Sequence, residues 1–259
     1  MTLREQIVEA TQHRGGLKMQ PCLAMDAAWF AAIQEDVRKL QAQRPASDVS
    51  SKSHPTNWTN PYGNATQHSL LNATGKTEDT ATDHDLKTEG KLFSAPECTA
   101  ILQLQAAFAG RALNFRLNGL MAKSGLSPHE ENVIHGEKLR LRFHLPVFTS
   151  EHAVMMLDGE SFRFLPGYIY FFNNGCVHSA DNGDEEARYH FVWDVFFDEW
   201  VEERLCNLNS PLTPEEGLRK LSPAEAAALS RSKPWMIEEY VNYKGQLVKV
   251  PENWAAAAS

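Results

Sequence analysis

Between residues 112 and 198 the chain is built from short apolar and aromatic runs: LNFRLNGL, KLRLRFHLPVF, AVMML, SFRFL, GYIYFF and RYHFVWDVFF. In the second run Leu139, Leu141, Phe143 and Leu145 alternate with Arg140, Arg142 and His144. A period of two marks a strand with one buried face. Asp158-Gly159, Pro166-Gly167 and Asn182-Gly183 separate the runs, and Asp-Gly between apolar runs predicts a hairpin. Short strands at this spacing predict an antiparallel barrel or jelly roll. Elsewhere the period is helical. In AAWFAAIQEDVRKLQAQ, Trp29, Phe30, Ile33, Val37 and Leu40 share a face, with Asp26 placed to cap the start and Pro45 beyond the end. APECTAILQLQAAFAG predicts a second amphipathic helix, ended by Gly110. SPAEAAAL predicts a third, with Ser222 as N-cap and Glu225 closing a capping box. LKMQPCLAM reads as a strand. Residues 46–90 are polar and nearly aperiodic, which predicts long loops with a short strand near HSLLN, and a lid is one use for them. There is no internal repeat.

Composition narrows the class. The chain has 259 residues, enough to bury a sizeable core without disulfides. Its formal net charge of −8 argues against a nucleic-acid or anionic-membrane partner. Cys22, Cys98, Cys176 and Cys206 have no C-x-x-C spacing and read as reduced thiols of a cytoplasmic protein. MTLREQIVEATQH lacks the apolar stretch of an export signal, and no run approaches the length of a membrane span. N-x-T triplets at Asn57, Asn64 and Asn72 then read as chance in a Thr/Asn-rich segment.

The chemistry centres on SPHEEN, residues 127–132. Alone it reads as a charged, solvated turn. On a strand, however, His129 and Glu131 share a face and reach one point. Two histidines and one carboxylate with open positions opposite are the donor set of a non-haem Fe(II) oxygenase. His178 follows GYIYFFNNGCV and is the best second histidine; Arg188 comes ten residues later and opens the next strand. Arginine's planar fork suits a carboxylate, so the H-x-E…H…R set provides three metal ligands and an anchor for a dicarboxylate such as 2-oxoglutarate. A competing register exists, because His135 and Glu137 also form an H-x-E.

These residues carry a family resemblance. Pro128-His129-x-Glu131, Arg142-Phe143-His144-Leu145, Gly167-Tyr168-Ile169-Tyr170-Phe171, His178-Ser179 and Arg188-Tyr189-His190-Phe191-Val192-x-Asp194 resemble the aspartyl/asparaginyl β-hydroxylase family of Fe(II)/2-oxoglutarate dioxygenases. The layout is nearest the bacterial cis-4-proline hydroxylase branch. The resemblance covers roughly residues 20–197. It implies a mainly β fold with flanking helices around a double-stranded β-helix, a cupin-like jelly roll. It implies Fe(II) held by His129, Glu131 and His178, and 2-oxoglutarate held by Arg188, with Arg142 and His144 facing the co-substrate or substrate. Arg116 matches a strand arginine that meets a substrate carboxylate. The chain departs from the pattern at Glu131, where relatives usually carry Asp, and at Asn173, a position of supporting role. The domain organisation expected is a dioxygenase domain over 1–198, with its jelly-roll core at about 112–198, and a helical C-terminal extension over 199–259 packed on it.

The activity implied is hydroxylation of an unactivated C–H of a small amino acid or similar metabolite, with O2 consumed and succinate and CO2 released. Desaturation or cyclisation uses the same chemistry. Halogenation does not fit, because Glu131 fills the position a halide would need. The reading from a different class is a cupin-like metal-binding protein that is non-catalytic or independent of oxoglutarate, for which Arg188 has no purpose. Other residues carry two readings. Arg140 reads as part of a solvated strand face. His190 shares a face with Arg188 and is either a pocket residue or a satisfied barrel histidine. Trp58 is either an aromatic cover for the substrate or a loop anchor. His54, His68, His84 and His152 read as solvated.

Overall fold

The computed structural model describes residues 1–12, 14–49, 64–81, 91–93, 95–108, 110–206, 217–230 and 237–250. Helix α1 (Leu3–Ala10) precedes β1 (Met19–Ala24) and the long helix α2 (Ala27–Gln43). Next come β2 (Ser47–Asp48), β3 (Ala65–Ser69), β4 (Leu71–Asn72), β5 (Lys91–Leu92) and α3 (Thr99–Ala106). The strand-rich core runs through β6 (Leu113–Leu120), β7 (Ser124–His129), β8 (Ile134–His135), β9 (Lys138–Phe148), β10 (Ala153–Leu157), β11 (Glu160–Phe164), β12 (Tyr168–Phe172), β13 (His178–Asn182) and β14 (Arg188–Phe196). Beyond it lie α4 (Glu199–Cys206), β15 (Leu218–Leu221), α5 (Pro223–Leu229), β16 (Glu239–Val241) and β17 (Leu247–Lys249).

Two antiparallel sheets face each other as a jelly roll. The larger has the order β1-β12-β9-β14-β6-β3-β2, with β8 paired to β9, and the smaller β15-β11-β10-β13-β7. Asp158-Gly159 closes the β10–β11 hairpin, both residues having positive φ (48° and 80°) as a tight hairpin turn requires. The other two turns do different work. Pro166-Gly167 and Asn182-Gly183 carry the chain from the small sheet to the large one, so neither closes a hairpin.

The outer face of the large sheet is apolar and covered by helices. Leu139, Leu141, Phe143 and Leu145 of β9 join Phe191, Trp193 and Val195 of β14 in one cluster with Ile33, Val37 and Leu40 of α2 and Ile101 and Leu104 of α3. Each such fully buried side chain contributes about 1.5–3 kcal/mol. Asp26 caps α2, accepting from the Trp29 N–H at 2.9 Å. Helix α3 starts at Thr99, and its own N-cap side chain makes no capping bond; Asp36 of α2 accepts from the N–H groups of Ala100 (2.8 Å) and Ile101 (3.3 Å) instead. The capping box at Ser222 and Glu225 forms.

The segment after residue 198 is not simply helical. β15 extends the small sheet beside β11, and β16 pairs with β17. With α5 these strands cover the outer face of the small sheet, where Val154, Met156 and Val177 cluster with Leu221, Ala226 and Tyr240. Cys22, Cys98 and Cys176 are buried free thiols. Among the described residues no helix is long and apolar enough to cross a membrane. Trp58, His54, His84 and most of the proposed lid lie outside the described residues.

Candidate active site

The inner face of the large sheet is polar, yet it is buried. Residues paired across antiparallel strands point to the same side, so Arg142 and Asp194, His144 and Val192, and Arg116 and Val192 all face the barrel interior. Arg116, Arg140, Arg142, His144, Arg188, His190 and Asp194 are all at most 8% exposed. The alternation that reads as a solvated strand face is here the buried inner face of the large sheet.

His129 ends β7, and His178 opens β13 rather than trailing the preceding strand. The two are register partners, with ring centroids 4.2 Å apart. Nδ1 of His129 lies 2.8 Å from the Ser127 carbonyl, and Nδ1 of His178 lies 2.9 Å from the Cys176 carbonyl. A carbonyl only accepts, so each Nδ1 carries a proton, and in the neutral ring Nε2 is left as the ligating nitrogen. Metal-binding histidines are commonly oriented this way. Donor atoms of His129, Glu131 and His178 all lie within 4.8 Å of one another, a set able to hold a metal ion. His135 sits at the surface against the Asn132 carbonyl, and Glu137 is exposed. The competing H-x-E register therefore does not converge.

Glu131 is held from two sides. Its backbone N–H donates to the Asn174 carbonyl at 2.9 Å. Its Oε2 accepts from Arg140 Nη2 (3.0 Å) and Arg142 Nη2 (2.9 Å), while its Oε1 accepts from Arg142 Nη1. Arg142 also grips Asp194 through Nε (2.8 Å) and Nη2 (3.1 Å), and Asn114 donates to Asp194 at 3.0 Å. Burial opposes ionisation of Glu131, but Arg142 and Arg140 outweigh it and hold the carboxyl well below its usual range. Asp194 is lowered by the same arginines against the same burial. Arg116 adds its positive charge to both. Arg140 is a correction: it is buried and bridges Glu131 and Asp194 instead of facing solvent.

A second group of polar residues lines the same interior. The His144 ring lies 6.0 Å from His190, and Phe164 contacts both. Phe172 links the groups, 5.0 Å from His144 and 5.1 Å from His178. Both ring nitrogens of His144 and both of His190 are buried without a hydrogen-bond partner among the described residues. Arg188 stands beside them, donating from Nη1 to the Met155 sulfur at 3.0 Å, a weak acceptor. Burial pushes the Arg188 pKa down to about 10, offset in part by Asp181. Burial, with Arg142 and Arg188 adding to it, drives His144 well below 6.5; burial, Arg188 and His144 do the same to His190. Both are neutral at pH 7. Buried polar atoms without partners are costly, and a cationic guanidinium beside two such imidazoles suits an anionic ligand. The residues present therefore fit 2-oxoglutarate as well as iron.

A model of the aspartyl/asparaginyl β-hydroxylase family matches residues 28–197. The chain belongs to that family. It is accordingly a 2-oxoglutarate-dependent non-haem iron oxygenase of the hydroxylase type, with Fe(II), 2-oxoglutarate and O2 as reaction partners. No curated protein matches it. Solved structures resemble it distantly. A 2OG-Fe(II) oxygenase family oxidoreductase from Burkholderia pseudomallei is 12% identical, covering 75% of this chain and 91% of its own, with a TM-score of 0.46. A prolyl hydroxylase from Trichoplax adhaerens, solved with a hypoxia inducible factor peptide, is 10% identical over 79% and 95%, with a TM-score of 0.47. A Pseudomonas putida prolyl-4-hydroxylase is 13% identical over 76% and 99%, with a TM-score of 0.41.

Within this family member, Asn173 has a supporting role. It donates to the carbonyls of Ile7 (2.9 Å) and Leu17 (3.2 Å), tying the N-terminal segment to the turn before His178. His68 is buried and meets the Arg44 carbonyl at 3.2 Å, not solvent as its polar surroundings predicted. His152 is half-buried beside Glu151 at 3.9 Å. Sequence reasoning missed Arg140 as a partner of Glu131 and Asp194 as the second carboxylate that shares Arg142 and Arg140 with it. The signal was present: Asp194 follows Arg188 by six residues and so lies on its face of β14.

Proposed function

We propose that His129, Glu131 and His178 hold the iron, that Arg188 pairs with the distal carboxylate of 2-oxoglutarate, and that the enzyme hydroxylates a small amino acid or amino-acid-like metabolite. The observation that carries this reading is the convergence of three donors within 4.8 Å, with both imidazoles oriented by carbonyls. Iron and oxoglutarate, when bound, would activate O2, so that one oxygen atom replaces C–H by C–OH and the other enters the succinate released with CO2. The protein's share is orientation and exclusion of water. Arg188 fixes the co-substrate at one end of the cleft, and His144 and His190 offer hydrogen bonds beside it. Arg142 already has two carboxylates inside the protein, so we assign it to holding Glu131 rather than the co-substrate. Arg116 faces the same cleft from β6 and suits a substrate carboxylate. Residues 1–198 form the catalytic domain in this reading, with the rest packed upon it.

The test is aerobic incubation with Fe(II), 2-oxoglutarate and a panel of free amino acids. Succinate release should be stimulated by at least one of them, with that amino acid gaining one oxygen. Stimulation only by peptides, or by no member of either class, overturns the substrate assignment.

A further inference from the structure

Glu130 lies between the two donors His129 and Glu131 but points to the opposite side of the small sheet. There its Oε2 accepts a hydrogen bond of 2.8 Å from the Tyr240 hydroxyl of β16. Glu130 is 8% exposed and Tyr240 6%. The other donor strand is covered by the same element. Val177, immediately before His178, packs in one cluster with Tyr240, Leu221 and Ala226. Strand β16 also packs against β7. The family match ends at residue 197, so this hairpin lies outside it.

We infer that Tyr240 is a positioning residue for the metal site, acting through Glu130. The inference rests on the reading of His129, Glu131 and His178 as ligands. Strand β7 stops at His129, so the backbone of residues 130 and 131 has no ladder to fix its rotation. Neighbouring side chains on an extended backbone point to opposite sides. Pinning Glu130 outward therefore aims His129 and Glu131 inward. The Glu131–Asn174 backbone bond fixes the height of this segment. The Tyr240–Glu130 bond fixes its roll. The tail thereby supports the donor set from behind, one step beyond the direct partners of metal ligands that are typically worth about 10–100-fold in affinity, so the lower end of that range applies.

The test uses the full chain and Fe(II) alone, by anaerobic competition against a chelator, before any oxoglutarate is added. Tyr240→Phe keeps the ring and removes the hydroxyl; Glu130→Ala removes the acceptor from the other end. Each should weaken Fe(II) binding about tenfold or more. Glu130→Gln keeps an acceptor oxygen and should restore affinity to within a few-fold of wild type. A purely structural bond would lower the melting temperature of the metal-free variants and leave their Fe(II) affinity unchanged. Wild-type affinity in Tyr240→Phe, or in Glu130→Ala should the first variant not fold, overturns the inference. So does a Glu130→Gln protein as weak as Glu130→Ala. Failure of the wild-type chain to bind Fe(II) would instead remove the ligand reading itself.

Discussion

The two polar ends of the barrel interior treat buried arginine in opposite ways. At one end Arg142 and Arg140 are matched by Glu131 and Asp194 through short, multiple hydrogen bonds. At the other, Arg188 rests against a methionine sulfur beside two imidazoles whose nitrogens have no hydrogen-bond partner among the described residues. A buried cation with full internal compensation supports structure; one with little is stability forgone for a ligand. In the proposed reading the contrast separates a frame that orients a ligating carboxylate from a seat for an anionic co-substrate.

The largest effect that can break this contrast is at the compensated end. Arg142→Met leaves two buried carboxylates to share Arg140 and should cost about 3–5 kcal/mol in urea unfolding of the metal-free protein. A loss below about 1 kcal/mol would mean the network is not a frame. Arg188→Met should do the reverse. It should raise the KM for 2-oxoglutarate roughly a hundredfold, while the metal-free protein keeps or gains stability, by an amount on the order of 1 kcal/mol. A destabilised Arg188→Met protein would erase the difference between the two ends.

Acid separates the ends by pH window. His144 and His190 have folded pKa values well below 6.5, so the unfolded chain binds more protons and stability falls as pH drops below that value. Each should cost about 1 kcal/mol by about pH 5.5. Replacing both with Leu should remove that slope in pH-dependent melting, the smallest of the expected effects. Asp194 has a depressed folded pKa, so its contribution is present above 3.8 and is lost only as pH falls below it. A slope that persists in the double variant would place the acid lability elsewhere.

Much of this was legible in the chain and some was not, for physical reasons. The 3.6-residue period and Asp26 defined α2 to the residue. Asp158-Gly159 located its hairpin because few dipeptides tolerate two positive φ values. The convergence of His129, Glu131 and His178 was legible because donor chemistry constrains residue type and spacing. The strand HSADN was not read as a strand, since it is polar yet buried throughout. Its side chains are satisfied by partners distant in sequence, such as Asn182 on the carbonyls of Leu120 and Met121. Arg140 failed for a related reason: a period of two shows that one face is polar, not whether water or a cleft lies beyond it. In Pro166-Gly167 and Asn182-Gly183 the turn chemistry was right, but which sheet the chain enters next is a tertiary matter. The strands of the tail are short and pair only with elements remote in sequence or with each other.

The central claim is that one cleft holds iron at the His129–Glu131–His178 end and 2-oxoglutarate at the Arg188 end. Anaerobic titration of the Fe(II)-loaded protein with 2-oxoglutarate tests it most directly, through the visible metal-to-ligand charge-transfer band of chelated oxoglutarate. The account predicts a saturable band in the wild-type protein, loss of the band in His178→Ala, and a band in Arg188→Met that requires roughly a hundredfold more oxoglutarate. No band in the wild type, or one unaffected by either substitution, would contradict it.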